Sequence, residues 1–167
     1  MSEQVVPAVV QDPLEFARGR KSLEGDIALP QLGQLQDMLA STDGTVHFKL
    51  TGFVNEGAAP GLRCEVQGLL KLRCQRCLEP MDYRLQTDSS LLLASDGQTQ
   101  DEDDPETPDC IPIQRDLPVA VLVEEEILLA LPMAPHHADD VCSRRTAADT
   151  GKLHPFAALA RLKSNKE

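Results

Sequence analysis

The sequence predicts an α+β fold: an antiparallel sheet across roughly residues 45–93, one long helix at 117–131 packed on it, and short helices toward both ends. Three observations predict it. Residues 45–54 and 62–72 alternate apolar and polar side chains with a period of two. Met81, Tyr83 and Leu85 then alternate with Asp82, Arg84 and Gln86 directly after a Cys-x-x-Cys turn, so the run at 62–72 returns on itself as a hairpin. Residues 117–131 form the most apolar stretch of the chain, closed by Pro132, and their length suits a helix of about four turns.

Taken in order, residues 1–11 read as an extended or loose leader. Asp12, Pro13 and Glu15 then supply a cap, a first-position proline and an acidic first turn, the signals of a short helix. Residues 23–29 read as a strand. Leu32, Leu35 and Leu39 follow at helical spacing, and 41–44 as a turn. In 45–54, Val46, Phe48 and Leu50 share the buried face of a strand. In 62–72, Leu62, Cys64, Val66, Leu70 and Leu72 do so, with Leu69 out of pattern on the polar side. Cys64 therefore reads as a small core residue.

Leu91, Leu92 and Leu93 extend the return strand. Residues 95–109 hold seven acidic residues and no Lys or Arg, the composition of a mobile acidic loop. Residues 110–113 read as one more short strand. The helix at 117–131 is apolar around its whole circumference, so it is buried on more than one side or docks to a partner. Glu124 projects among its apolar residues and needs a donor, for which a salt bridge is expected. The last segment, 155–163, is a short amphipathic helix that needs something to dock on.

With 167 residues and 41% hydrophobic content, the chain is expected to form one domain over 1–167 with its own core. A formal charge of -11 and a pI near 4.7 argue against coating nucleic acid by bulk electrostatics. Aromatics at 3% argue against a base-stacking platform. Local phosphate contacts remain available on one strand face at Arg63, Lys71 and Arg73, beside Arg76. No stretch has the length and apolarity of a membrane span, and the first residues lack the pattern of a signal peptide. A cytoplasmic location is therefore expected, with the five cysteines reduced or metal-bound.

Cys74 and Cys77 at the hairpin turn are open to four readings. Two thiolates at a tight turn make half of a tetrahedral site, and His137 with Cys142 offers the other half, with His136 an alternative to His137, a set that suits structural zinc. A thiol redox pair is the second reading, although such pairs usually sit at a helix N-terminus rather than between strands. A cysteine nucleophile with His137 as base is the third. In the fourth, the cysteines only pack or stay reduced. Neither a phosphate-cradling glycine loop nor a paired-histidine helix motif is present, and no catalytic residues are assigned.

Three separated blocks carry a resemblance. The first is Leu72-x-Cys74-x-Arg76-Cys77-Leu78-x-Pro80. The second runs from Glu124-Glu125-Glu126-Ile127 through Pro132 and Pro135 to His137 and Cys142. The third is Pro155-Phe156-Ala157 with Leu159, Leu162 and Lys163. In this order they resemble the large ribosomal RNA subunit accumulation protein family, the YceD-like proteins of bacteria and plastids. The resemblance runs from about residue 12 to 163 and is specific in the three blocks. It implies a non-enzymatic role in processing or accumulation of the large-subunit (23S) rRNA and in ribosome assembly. The implied partner is a large-subunit precursor, met through rRNA, ribosomal proteins or both. The family pattern includes the positions of Cys74, Cys77, His137 and Cys142. The chain departs from it in its long acidic loop and in His154, where the family usually has Asn. A thiol redox or metal-dependent enzyme centred on Cys74 and Cys77 is the alternative.

Overall fold

The structure, a computed structural model, describes residues 9–94, 110–113, 115–138 and 142. The expected acidic loop at 95–109 and the expected helix at 155–163 lie outside these residues. The described chain is mostly sheet with few helices.

Strand β1 (Val9–Gln11) is followed by helix α1 (Pro13–Arg18) and strand β2 (Ser22–Ala28). The cap of α1 is the expected one: Asp12 adopts a left-handed conformation and its Oδ1 accepts the Glu15 amide at 2.9 Å. Two 3-10 turns, Leu29–Gln31 and Gln36–Met38, lead to β3 (Leu39–Ser41) and β4 (Thr45–Val54). The expected helical stretch here is thus a pair of tight turns. Leu29, Leu32 and Leu35 recur every three residues, the period of a 3-10 rather than an α-helix, and all three are fully buried. Strands β5 (Pro60–Arg73) and β6 (Pro80–Ala94) form the long hairpin, and β7 (Cys110–Pro112), β8 (Asp116–Pro118) and α2 (Val119–Ala130) follow.

The main sheet has the order β2-β4-β5-β6-β7, with β3 paired to β5 where β5 outruns β4. It is mixed rather than purely antiparallel, because β7 runs parallel to β6, Leu92 facing Cys110. A parallel neighbour needs a crossover of about a dozen residues or more, and β6 and β7 are separated by residues 95–109. The helix expected at 117–131 is shorter, and the leader expected at 1–11 is partly a strand, for one shared reason. Val9–Gln11 pairs with Asp116–Pro118 as a two-stranded ladder, so α2 begins only at Val119.

The inner face of the sheet carries the alternating residues the sequence marks out: Val46, Phe48 and Leu50 on β4, and Leu62, Cys64, Val66, Leu70 and Leu72 on β5. They pack with the leucines of the 3-10 turns and with Val119, Leu122, Val123 and Ile127 of α2 in one core. Helix α1 lies so close to β4 that a Cβ at Gly52 would stand 2.5 Å from the Phe16 carbonyl oxygen. The outer face of the hairpin is polar, with Leu69 exposed upon it.

Two glutamates of α2 are buried. Among the described residues Glu124 meets no cation, where a salt bridge was expected. Its Oε1 accepts the backbone amides of Gln34 at 2.6 Å and Leu35 at 3.1 Å. The reason is local: the tight turns leave these amides without a ladder or helix partner, and a buried amide must find one. Glu126 accepts the Ser89 hydroxyl, tying α2 to β6. Replacing Glu124 with Ala strands the two amides and should cost about 2–3 kcal/mol. Gln keeps a carbonyl oxygen in the same place and should cost about 1 kcal/mol. Urea unfolding of E124A and E124Q checks the order, and equal losses would refute the capping role.

Candidate metal centre

The β5–β6 ladder runs to Arg73 facing Pro80, and the residues between close the hairpin. The Leu78 amide donates to the Cys74 carbonyl at 2.9 Å, and the Cys74 amide to the Glu79 carbonyl at 3.0 Å. This tight turn brings both cysteine side chains to the same end of the sheet and holds Leu78 at a positive φ of 63°, unusual for a side chain of its size. Beyond α2, the chain passes this turn: the Gln75 amide donates to the Pro135 carbonyl at 2.8 Å, which docks residues 135–137 beside it. The Cys142 amide reaches the Ala138 carbonyl at 3.4 Å.

Cys74, Cys77, His137 and Cys142 converge, their ligand atoms all within 4.8 Å of one another. A tetrahedral ion with arms of about 2.3 Å to sulfur and about 2.1 Å to nitrogen sets its sulfurs about 3.8 Å apart and its sulfur–nitrogen pairs about 3.6 Å apart. The Sγ atoms of Cys74 and Cys142 are 3.4 Å apart, and those of Cys77 and Cys142 3.9 Å. His137 Nδ1 stands 3.4 Å from Cys77 Sγ and 3.6 Å from Cys142 Sγ. The four residues fit a metal ion. His137 would bind through Nδ1, because its Nε2 lies 3.1 Å from the Pro80 carbonyl oxygen, an acceptor that fixes the Nε2–H tautomer and the ring orientation.

The local electrostatics also suit a thiolate. Burial pushes the Cys74 thiol up, but the backbone amides of Cys77, His137 and Arg76, with the Cys142 thiol, point at its sulfur and together bring it well below the ordinary range. Cys142 moves the other way, raised by burial and then by the neighbouring Cys74 and Cys77 sulfurs. The remaining two cysteines stand apart. Cys64 is in the core, as expected, and burial followed by the charge of Glu126 pushes it up to about 12. Cys110 is exposed.

The basic residues expected on one strand face do not all stand alike. Arg63 makes a bidentate pair with Asp88, Nε to Oδ1 at 2.7 Å and Nη2 to Oδ2 at 2.5 Å. Lys71 bonds Asp82, its direct cross-strand neighbour, at 3.1 Å. Both carboxylates are on the polar face of the return strand; the hairpin register sets Asp82 opposite Lys71, whereas Asp88 lies diagonal to Arg63, which faces Ser90. Arg73 and Arg76 are exposed beside the cysteine turn.

Residues 62–163 match the family model described as large ribosomal RNA subunit accumulation protein YceD. Over 174 residues, 98% of this chain and 99% of the relative, the chain is 27% identical to the large ribosomal RNA subunit accumulation protein YceD of Haemophilus influenzae. No solved structure matches it. Among the described residues, no helix is long and apolar enough to cross a membrane.

The hydrogen bonds of Arg63 hold Asp88 below the usual carboxylate range; burial opposes them, and the Arg63 charge adds a smaller pull in the same direction as the bonds. A depressed carboxylate stabilises the fold above its unfolded pKa, about 3.9 for Asp. That contribution is lost as the pH falls through the folded value. Titration followed by NMR should find Asp88 ionising below its ordinary range and returning to it in R63Q. No movement in R63Q would show that the pair does not persist in solution.

Proposed function

The chain belongs to the YceD family of large ribosomal RNA subunit accumulation proteins, and from that premise we propose that it supports accumulation of the large-subunit (23S) rRNA in the cytoplasm by binding a precursor of the large ribosomal subunit, without catalysis. The family match, which spans all three sequence blocks, carries this reading. The cysteine cluster is consistent with it. Three sulfurs and one imidazole complete a tetrahedron from protein alone, the closed arrangement of structural zinc rather than the open one of catalytic zinc. Zinc there would supply a cross-link, holding the chain that follows α2 against the hairpin turn and fixing the backbone that carries Arg73 and Arg76. A chain of net charge -11 should bind naked rRNA weakly and a protein-containing precursor better. Phosphate binding in that complex falls to Arg73 before Arg63 and Lys71, whose charges already face carboxylates.

One observation favours the second reading, a thiol or metal enzyme at Cys74 and Cys77. The partly exposed Cys77 has an imidazole nitrogen at 3.4 Å, within the loose reach of a nucleophile and its base.

Two outcomes are expected. Protein purified without chelator should contain about one zinc per chain, lost in C74S, C142S and H137A and retained in C64S. Chelation should lower its melting temperature. A wild-type protein that is folded but free of metal would remove the zinc site. In cells, depletion should lower the ratio of large- to small-subunit rRNA, and the tagged protein should co-sediment with a large-subunit precursor. R73E/R76E should rescue poorly. Its residual binding should fall less steeply with salt, the log–log slope easing by about 0.7–0.9 for each phosphate that is no longer neutralised. An unchanged ratio together with no co-sedimentation would sink the assembly reading and bring the thiol enzyme forward.

A further inference from the structure

The three clustered sulfurs differ in one respect that metal binding does not explain. Cys74 is completely buried and Cys142 is 5% exposed, whereas Cys77 is partly open to solvent. Cys77 is the sulfur of the cluster that a dissolved oxidant reaches first, and Cys142 Sγ waits 3.9 Å from it. A disulfide needs sulfurs about 2.05 Å apart, so closing this pair takes a movement of about 2 Å. Cys74 is hidden, and its sulfur is held by three backbone amides. We propose that the cluster is a modification site for hydroperoxides, in which Cys77 is oxidised and Cys142 resolves it, so that a disulfide takes over the clamp that the metal provides in the reduced state. The reduced half of this proposal rests on the metal reading above; the disulfide half does not.

The chemistry balances with hydrogen peroxide as the named oxidant. The Cys77 thiolate attacks one peroxide oxygen, the O–O bond breaks, and the hydroxide that leaves is protonated to water, giving a sulfenic acid. The Cys142 thiolate attacks that sulfur. The S–S bond forms, the S–O bond breaks, and the second hydroxide becomes a second water. Two thiolates and two protons are consumed with one peroxide, and a metal ion that loses these two ligands is released. The fold around the site is arranged to survive the exchange. The Gln75 amide on the Pro135 carbonyl and His137 Nε2 on the Pro80 carbonyl do not involve the sulfurs, so residues 135–137 stay docked in both states. Cys142 stays tied to the turn in both states as well. A bridge within the turn, Cys74 to Cys77, would instead leave Cys142 loose.

The test uses the full chain carrying C110S, which removes the other exposed thiol. Zinc is measured before and after a stoichiometric pulse of hydrogen peroxide, and the protein is digested with trypsin without reduction. Cleavage after Arg73 and Arg76 places Cys74 and Cys77 on different peptides, and Cys142 on a third. The expected product links peptide 77–84 to peptide 116–144, with release of any zinc present. The oxidised protein should melt higher than the same protein reduced and chelated. C142S should accumulate a dimedone-trappable sulfenic acid at Cys77. A Cys77–Cys142 bridge supports the proposal, and a Cys74–Cys142 bridge overturns it, because the hidden sulfur would then be the one oxidised. A Cys74–Cys77 bridge, or Cys77 driven to sulfinic and sulfonic acid with no bridge, overturns it. Bridging in protein that never held zinc would keep this inference and sink the metal reading; zinc-loaded protein that forms no bridge would do the reverse.

Discussion

Arg73 pairs with Pro80, and every residue of β5 back to Gly61 pairs with a residue of β6. This unbroken register is the constraint on which the rest of the structure depends. A slip of one residue would turn Leu62, Cys64, Val66, Leu70 and Leu72 to solvent and bring Arg63 and Lys71 into the core. It would also separate Cys74 from Cys77, because the turn between them is closed by bonds between Cys74 and Leu78 and between Cys74 and Glu79. The same pattern of side chains that buries the sheet therefore delivers the two thiols. Folding the hairpin and assembling half of the site are one event.

The other half comes from far along the chain, and α2 is what brings it. The helix is held at two levels. Glu124 and Glu126 tie its middle, one to the backbone of the tight turns and one to β6, while Val119, Leu122, Val123 and Ile127 bury its apolar side. A buried carboxylate that is not satisfied is expensive, so each of these bonds restricts where α2 can lie as much as it stabilises it. With the helix placed, the chain leaving Leu131 passes the cysteine turn, and the Gln75–Pro135 bond fixes it there. His137 and Cys142 need no further instruction than the length of that segment.

How much of this was legible in the sequence follows from the range of each interaction. The strands at 45–54 and 62–72 and the capped helix at 13–18 are written in local alternation and local caps, and they stand where those patterns put them. Cys64 as a core residue follows from its parity on β5. The convergence of Cys74, Cys77, His137 and Cys142 was reachable from ligand chemistry, although nothing in the spacing from 77 to 137 fixes a distance. What could not be read is non-local backbone demand. The amides of Gln34 and Leu35 carry no side-chain signal, so the partner of Glu124 was expected to be a cation. The pairing of Val9–Gln11 with Asp116–Pro118 joins two short segments without strong alternation, and it takes Leu117 and Pro118 from the expected helix. The parallel direction of β7 depends on the connection before it, and composition does not encode direction.

The charges on the outer face of the hairpin bear on the proposed partner. Arg63 with Asp88 and Lys71 with Asp82 are half-exposed pairs, each worth little to the fold. Their effect on binding is larger than their effect on stability. A cation already facing a carboxylate brings little net charge to a phosphate, because the carboxylate is forced toward the same phosphate at a cost. At Arg63 and Lys71 the sheet thus presents a neutralised surface to nucleic acid. The turn differs in its mechanics, since Arg73 and Arg76 bracket Cys74 on backbone that the cluster would make rigid. Rigid cations lose less side-chain and loop freedom on binding than cations on a mobile tip. On the proposed reading, the sulfur cluster therefore acts on the partner at one remove: it holds still the positive charges at the tip of the hairpin.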